Sequence, residues 1–282
     1  LRETFYAFTY SIWGLNPFGY HLNALLLHAL ITIFIFYIIS NATKNSEMSL
    51  FAALLFAAHP IGTERVANMT ASFDILGLLF FLIGFYLFVK YRQTSEKKFY
   101  ISSVFAYILA LLSSEEAITF VGILLLYDIC FTRQEQNSKI KQLIKQYIPY
   151  ILSTIIYIIL HIIIVGRIGR ALTYFEDSFY ITFLNSIKAA AFYVKLLVLP
   201  INISIYRAIP KATSVLSVPF IISFVVLALL IFIAIFSFKK TNKESRIIPF
   251  SFGWFFITML LFYNFIPKST LLADRYLYFP SV

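Results

Sequence analysis

One stretch decides the fold: FAALLFAAHPIGTERVANMTASFDILGLLFFLIGFYLF, which runs from Phe51 to Phe88. Two apolar runs flank a polar patch that holds His59, Glu64, Arg65 and Asp74. A chain that leaves an apolar phase and soon re-enters it is typical of a helical hairpin in a membrane. The patch is therefore expected at a membrane surface, where acids and bases are available for chemistry.

Composition places the chain among the polytopic helical membrane proteins. Of its 282 residues, 60% are hydrophobic and 13% are charged, whereas a soluble domain is about half apolar and about a quarter charged. The net charge of +10 indicates topology rather than nucleic-acid binding, because the basic residues stand in short loops between spans. The runs that approach the ~20 apolar residues of a membrane span are Leu22–Ser40, Ile75–Tyr91, Tyr147–Val165, Val215–Phe238 and Ile247–Ile266.

Three basic loops orient these spans. They are Lys90–Lys98, Arg133–Lys145 and Lys239–Arg246, and the positive-inside rule places all three in the cytoplasm. Two spans must then separate the first loop from the second. Phe99–Leu112 and Ala117–Phe131 are predicted to supply them as a hairpin of short helices. One long helix is the alternative, but it would bury two glutamates near the middle of the bilayer at a cost of several kcal/mol each.

The rest of the chain completes the layout. Met48–Pro60 is predicted to form a second hairpin with Ile75–Tyr91. The run Ile181–Pro200 carries Lys188 and Lys195 on one helical face, which favours a helix lying in the membrane interface with both lysines facing lipid headgroups. We therefore expect an all-α polytopic membrane protein, with residues 1–282 as a single domain of about eight transmembrane helices plus an interfacial helix. In this layout the polar clusters meet at one non-cytosolic face.

Five sequence blocks in a fixed order carry a family resemblance. They are GLNPFGYHL (Gly14–Leu22), LLFAAHPIGTERV (Leu54–Val66), LLSSEEAIT (Leu111–Thr119), VLPINIS (Val198–Ser204) and DRYLYFPS (Asp274–Ser281). Together they resemble the membrane domain of the TMTC-type protein O-mannosyltransferases (transmembrane and tetratricopeptide-containing proteins) and their prokaryotic relatives. That family belongs to the GT-C class of polyprenyl-phosphate-sugar-dependent glycosyltransferases. The chain departs from the family pattern at or near Gly62, Ser72 and Ser114, where the family usually carries His, Arg and Lys.

The resemblance implies a GT-C-like bundle and a transfer reaction. A sugar, mannose in this family, would pass from a polyprenyl-phosphate or dolichyl-phosphate donor to a hydroxyl of a protein Ser or Thr or of a glycan. The implied partners are membrane lipid, the lipid-linked donor and the acceptor, with no nucleic acid. No resident cofactor is predicted, and a need for a divalent metal is left open.

The resemblance also bears on location and extent. A multi-pass protein of a prokaryotic plasma membrane or of the endoplasmic reticulum membrane is expected. The first helix, the acidic first external loop and the tetratricopeptide repeats of the family have no counterpart in these residues. The chain is therefore expected to be the inner part of such an enzyme or a diverged relative of the family.

Three acids are the catalytic candidates, because transfer to a hydroxyl needs a carboxylate that takes the acceptor proton. Glu64 and Asp74 bracket the loop between two helices and can face one cavity, although Asp74 could instead be the N-cap of the following helix. Glu115 matches the family position, but an acid there would also favour the helix dipole. Because adjacent acids rarely both point inward, at most one of Glu115 and Glu116 is expected to serve the site.

Arg275 is the main candidate for the donor phosphate, since Arg gives bidentate hydrogen bonds to phosphate. In the DRYLYFPS block, Asp274 would orient the guanidinium, and Tyr276 would lie at the level of the lipid headgroups. The alternative is an interfacial aromatic belt with a snorkelling Arg. Arg207 is a secondary phosphate candidate.

His59 and Arg65 complete the predicted substrate-binding set. His59 precedes Pro60, so it also suits a role in shaping the helix end. A metal site is not predicted there, because no second His or Cys stands at ligand spacing.

Two other functions compete with sugar transfer. A transporter or flippase for a lipid-linked or anionic solute would usually show inverted repeats and Gly- or Pro-broken helices at mid-membrane. The sequence has no evident repeat, and its charges gather at one face. A catalytically inactive membrane scaffold is the third possibility.

Overall fold

Every element that the structure describes is helical. The computed structural model describes residues 1–132, 140–166, 174, 177–204, 210–238, 244–262 and 272–282. The α-helices are α1 Arg2–Trp13, α2 Pro17–Thr43, α3 Ser46–Ala58, α4 Thr63–Ala67, α5 Ser72–Thr94, α6 Lys97–Ser113, α7 Phe120–Tyr127, α8 Ile140–Val165, α9 Phe179–Val198, α10 Val218–Phe238 and α11 Ile247–Met259. Short 3-10 turns connect several of them, including Pro60–Gly62, Met69–Ala71 and Glu115–Thr119.

Side-chain caps explain where several helices begin. Asn16 accepts a hydrogen bond from the backbone N–H of Phe18 at 3.1 Å, and Pro17 stands at the first helical position of α2, where a missing N–H is harmless. Asn45 caps α3 in the same way, since it accepts from the N–H of Met48 at 3.0 Å. These caps satisfy backbone donors that the first turn of a helix leaves open.

Five described helices are long and apolar enough to cross a membrane: α2, α5, α8, α9 and α10. Together with the shorter apolar helices α3 and α11, they confirm a helical membrane protein. The helix breaks between α6 and α7 at the turn Glu115–Thr119, where the sequence predicted it, while a hairpin of two membrane crossings stays a prediction. The count of eight crossings remains a prediction, and α9 is long enough to span as well as to lie in the interface.

The first of two compact units comprises Leu1–Leu125, Thr132–Ile159 and Val282. Within it α5 packs against α2 and α6, and α3 packs against α2. About two thirds of the apolar span of α5 is buried, against 6% of the span of α8. Helix α5 is therefore the centre of this unit, and α8 is an outer helix with the exposed apolar surface that lipid would cover.

Hydroxyl groups join α8 to this centre. Tyr150 donates to the hydroxyl of Ser103 at 2.9 Å, and Ser103 donates to the carbonyl of Gly84 at 2.7 Å. The hydroxyls of Tyr107 and Thr154 lie 2.7 Å apart. Buried hydroxyls must find partners in an apolar surrounding, so these bonds specify how α5, α6 and α8 pack.

The second unit comprises Leu126–Phe131 and Leu160–Ser281, with α9 packed against α10 and α10 against α11. The side chain of Asn185 pairs with both backbone groups of Ala212, at 3.0 Å each. Lys188, one turn further along α9, is 7% exposed and donates to the carbonyl of Pro210. The expectation that Lys188 faces lipid headgroups is therefore wrong, because the segment at residues 210–212 covers this face of α9. The division into two compact units does not test the prediction that residues 1–282 form a single domain.

Candidate functional site

A buried arginine lies at the centre of the polar patch in the first unit. The side chain of Arg65 is 3% exposed. Its Nη1 donates to Oδ2 of Asp74, and its Nη2 donates to Oε1 of Glu116. Moving an ion from water into the protein interior costs several kcal/mol. One carboxylate at each terminal nitrogen of the guanidinium offsets that cost. We name Arg65, Asp74 and Glu116 the Arg65 clamp.

Three elements bring the clamp together. Arg65 stands on the short helix α4, Asp74 in the first turn of α5, and Glu116 in the 3-10 turn that follows α6. Asp74 near the beginning of α5 contacts Ser114 just after α6. Gly84 further along α5 contacts Ser103 near the beginning of α6, so the two helices run antiparallel. The three residues of the Arg65 clamp therefore meet at one end of the α5–α6 pair.

Ser114 adds a fourth contact to the clamp. Its hydroxyl donates to Oδ1 of Asp74 at 3.0 Å, so that both carboxylate oxygens of Asp74 are bound. Its oxygen also accepts from the backbone N–H of Glu116 at 3.4 Å and so begins the 3-10 turn. Asp74 is therefore held by side chains from two other segments. It lies inside α5, whose N-cap is Ala71, so the alternative that Asp74 is the N-cap is wrong.

A glycine allows this approach of α5 to the turn. A Cβ on Gly77 would lie 2.5 Å from Cβ of Ser114 and 3.2 Å from its backbone nitrogen. Both obstacles belong to the rigid part of Ser114, so a side chain at position 77 would push the turn away from Asp74. Gly77 is a positioning residue that no sequence motif singled out.

The structure places Glu116, rather than its neighbour Glu115, in the clamp. Glu116 is 6% exposed, and Glu115 is exposed at the surface. The expectation that at most one of these acids points inward fits this arrangement. Glu64, which precedes Arg65 on α4, is half-buried. Arg65 and Glu116 are thus each preceded in sequence by a more accessible acid.

His59 shapes the chain between α3 and α4. Its Nδ1 accepts a hydrogen bond from the backbone N–H of Ile61 at 3.2 Å, which caps the turn Pro60–Gly62. This contact gives the helix-end role that the sequence suggested. Among the described residues, no group of three or more His, Cys, Asp and Glu side chains is arranged to hold a metal ion.

The DRYLYFPS block lies in the second unit, where Asp274 is a structural anchor. Its side chain is fully buried, and Oδ2 accepts from the backbone N–H of Ser204 at 2.7 Å. This bond joins two of the family-like blocks, VLPINIS and DRYLYFPS. The preceding residue is also held, since the hydroxyl of Tyr193 accepts from the N–H of Ala273 at 3.1 Å and donates to its carbonyl at 3.2 Å.

Arg275 projects from this anchored segment. It is half-buried, and its guanidinium lies 5.3 Å from the ring centroid of Tyr276, which stacks on Phe262 at 4.4 Å. A stacked Arg keeps its planar donors oriented.

Two predictions about this part of the site stay open. Arg207 lies outside the described residues. Glu64 and Arg275 belong to different compact units, so the predicted pocket shared by both remains a prediction.

The segment that contains most of the first unit and the whole Arg65 clamp matches a known protein family. Residues 3–165, more than half of the chain, match the dolichyl-phosphate-mannose-protein mannosyltransferase family. The match includes all three residues of the Arg65 clamp and ends before the DRYLYFPS block. Family likeness and the long apolar helices together make the chain a multi-pass membrane protein.

Several curated proteins are similar to this chain. Protein O-mannosyl-transferase TMTC1 of Mus musculus is 32% identical over 136 residues, which are 44% of this chain and 14% of the mouse protein. Protein O-mannosyl-transferase TMTC3 of Mus musculus is 32% identical over 43% of this chain and 13% of its own length. TMTC4 of Homo sapiens is 32% identical over 43% of this chain and 19% of its own length. The matches thus cover less than a fifth of these relatives, and no solved structure matches the chain.

Proposed function

The chain belongs to the dolichyl-phosphate-mannose-protein mannosyltransferase family, and on that premise we propose that it transfers mannose from a polyprenyl-phosphate donor to a hydroxyl acceptor. The acceptor is a protein Ser or Thr or a glycan, and the reaction takes place at the non-cytosolic face of the membrane. The observation that carries the proposal is the Arg65 clamp inside the matched segment. An ionic cluster buried at the end of membrane helices is costly and marks a functional site by default.

The reaction needs one proton acceptor and one stabiliser of the leaving phosphate. The acceptor oxygen forms a bond to C1 of mannose while the bond between C1 and the phosphate oxygen breaks. The hydroxyl proton passes to a carboxylate, and the polyprenyl phosphate leaves with the electron pair of the broken bond. A side-chain base contributes about 10²- to 10⁴-fold to such a step.

The clamp itself is better suited to positioning than to proton transfer. Both oxygens of Asp74 accept hydrogen bonds from Arg65 and Ser114, so the hydroxyl of an acceptor substrate would have to compete with these donors. Both terminal nitrogens of Arg65 already bind carboxylates and the side chain is 3% exposed, so phosphate would reach the guanidinium only if the clamp opened. We assign Asp74 and Arg65 the role of holding the site together.

The acids adjacent to the clamp are better placed to act on substrate. Glu64 is joined to Arg65 by one peptide bond and Glu115 to Glu116 by another, so the clamp restrains both acids. Such restraint is what a catalytic group needs, because errors of about 1 Å in its position can cost about 10²-fold in rate. We propose Glu64 as the base and Glu115 as a second acid at the sugar. Arg275, half-buried and stacked, is the proposed ligand of the donor phosphate.

A transfer assay tests this proposal. The full natural protein in membranes is given polyprenyl-phosphate mannose with a labelled sugar, and incorporation into protein or glycan is measured. Glu64→Gln should lower the rate about 100-fold or more. Glu96→Gln is the matched control, since Glu96 is exposed and pairs with Lys98 at 2.6 Å.

Two outcomes would count against the proposal. Full transfer by the Glu64→Gln protein would remove Glu64 from the mechanism. An absence of mannose transfer, with flux of an anionic or lipid-linked solute through reconstituted protein, would establish the transporter instead.

A further inference from the structure

An apolar groove lies on the exposed surface of the first unit, between α6 and α8. Its volume is about 330 Å³. Ile101 and Phe105, which line it, are 65% and 62% exposed, so the groove opens to the surroundings of the helices. The lining residues are Tyr100, Ile101, Val104, Phe105, Ile108 and Pro149.

Hydrogen bonds between the two helices give the groove a defined shape. The hydroxyl of Tyr100 donates to the backbone carbonyl of Gln146 at 3.0 Å near the beginning of both helices. Further along, the hydroxyls of Tyr107 and Thr154 lie 2.7 Å apart. The helices therefore run side by side in the same direction and are joined at two levels. Pro149 stands between these levels, and its missing N–H leaves the carbonyl of residue 145 without its usual helical donor.

Each wall of the groove carries a lysine at the same end. Lys97 precedes Ile101 by one turn on α6, and Lys145 precedes Pro149 by one turn on α8. Residues four apart lie on the same helical face, so both lysines stand above the apolar lining. Both are exposed. The neighbouring Lys98 points elsewhere and pairs with Glu96 at 2.6 Å.

We propose that this groove binds one acyl chain of an anionic glycerophospholipid from the cytoplasmic leaflet. Its headgroup phosphate would lie at the end marked by Lys97 and Lys145. An apolar groove alone would accept any lipid chain, but two cations at its mouth select a negatively charged headgroup. The leaflet follows from the basic loops 90–98 and 133–145, which the positive-inside rule places in the cytoplasm. This site is independent of the proposed transfer reaction.

Photo-crosslinking tests the site in the full chain reconstituted into phosphatidylcholine nanodiscs. A trace of phosphatidylglycerol that carries a diazirine in its acyl chain is compared with the matching phosphatidylcholine probe. The expected result is labelling of residues 101–108 about fivefold stronger with phosphatidylglycerol, as the attraction between a lysine and an anionic headgroup predicts. The double variant Lys97→Gln/Lys145→Gln should lose this preference.

Two further variants serve as controls. Lys98→Gln removes the same charge about 100° around the helix and should keep the preference. Val104→Trp fills the groove and should reduce labelling by both probes.

Several results would overturn the proposal. Equal labelling by the two probes would remove the selectivity, and so would an equal effect of Lys98→Gln and the double variant. Stronger labelling of residues 101–108 by a polyprenyl-phosphate probe would assign the groove to a different lipid.

Thermal unfolding of the lysine variants is the folding control. Normal unfolding would show that a loss of labelling does not come from misfolding.

Discussion

Arg65 and Glu116 are 51 positions apart in the sequence, yet the guanidinium of one donates to the carboxylate of the other in the buried interior of the first unit. This contact joins the loop between α3 and α5 to the turn after α6. A role in joining these two segments accounts for the burial of the charged Arg65 side chain. Asp74 alone would neutralise Arg65, but Glu116 connects the arginine to a second segment of the chain.

Removal of the charge of Glu116 should destabilise the protein strongly. Glu116→Gln leaves Arg65 paired with Asp74 alone and replaces a hydrogen bond between two ions by a weaker one, and a hydrogen bond to a charged group contributes about 1.5–3 kcal/mol. The free energy of unfolding in detergent, measured by denaturant or heat, checks this value. Glu115→Gln is the control, because its side chain is exposed and surface substitutions usually stay within about 0.5 kcal/mol. Equal effects of the two variants would mean that Glu116 is not held in the clamp.

Loss of the Ser114 hydroxyl should also weaken the clamp. Ser114→Ala removes a hydrogen bond to an ionised carboxylate, which is worth about 1.5–3 kcal/mol. Ser113 is equally buried, but its hydroxyl donates to the carbonyl of Leu109 within its own helix at 2.8 Å. Ser113→Ala should therefore cost less than about 1 kcal/mol. A larger effect of Ser113→Ala in the same unfolding experiment would contradict the assigned contact.

A methyl group at position 77 should disturb the site from within α5. Gly77→Ala places a Cβ against the backbone of Ser114, and overpacking of this kind costs about 1–3 kcal/mol. Gly84 stands on the same helix, and its nearest obstacles are 3.2 and 3.3 Å away. We expect Gly77→Ala to lower both the unfolding free energy and the mannosyl-transfer rate more than Gly84→Ala does. The reverse order would show that the close approach at Gly77 is unimportant.

The anchor of the DRYLYFPS block can be tested in the second unit. Tyr193→Phe leaves the N–H and the carbonyl of Ala273 without their shared hydroxyl partner, at a cost of about 2–3 kcal/mol. Tyr107→Phe is the matched control, because Thr154 also donates to the carbonyl of Tyr150 at 2.9 Å and stays satisfied. Thermal unfolding should rank Tyr193→Phe as the more damaging change. An equal ranking would mean that the hydroxyl of Tyr193 does not hold Ala273.

The apolar helices were predictable from sequence because hydrophobicity is a local property. The five long runs predicted to cross the membrane each overlap an observed helix, although residues 263–266 of the last run lie outside the part of the chain that the structure describes. The separation of α6 from α7 was also predictable, since the charge of two adjacent glutamates opposes a continuous span. Asn16 followed by Pro17 even marks the beginning of α2 by its chemistry.

The choice between Glu115 and Glu116 was not predictable in the same way. Both have the same charge and differ only in the direction set by a 3-10 turn, where a rotation of about 120° per residue separates neighbours. The burial of Lys188 was missed for a similar reason. Its spacing from Lys195 describes one helical face, but the segment that covers Lys188 is 22 residues away in sequence. Long-range packing of this kind leaves no local signal.

Our central claim is that the Arg65 clamp holds Glu64 and Glu115 at a common, non-cytosolic surface. Labelling of single cysteines with a membrane-impermeant maleimide tests it most directly, in a background where the buried Cys130 is replaced by Ala. Glu64→Cys and Glu115→Cys should both react from the non-cytosolic side, whereas Lys97→Cys should react from the cytosolic side alone. Reaction of positions 64 and 115 from opposite sides, or of both from the cytosol, would contradict the account.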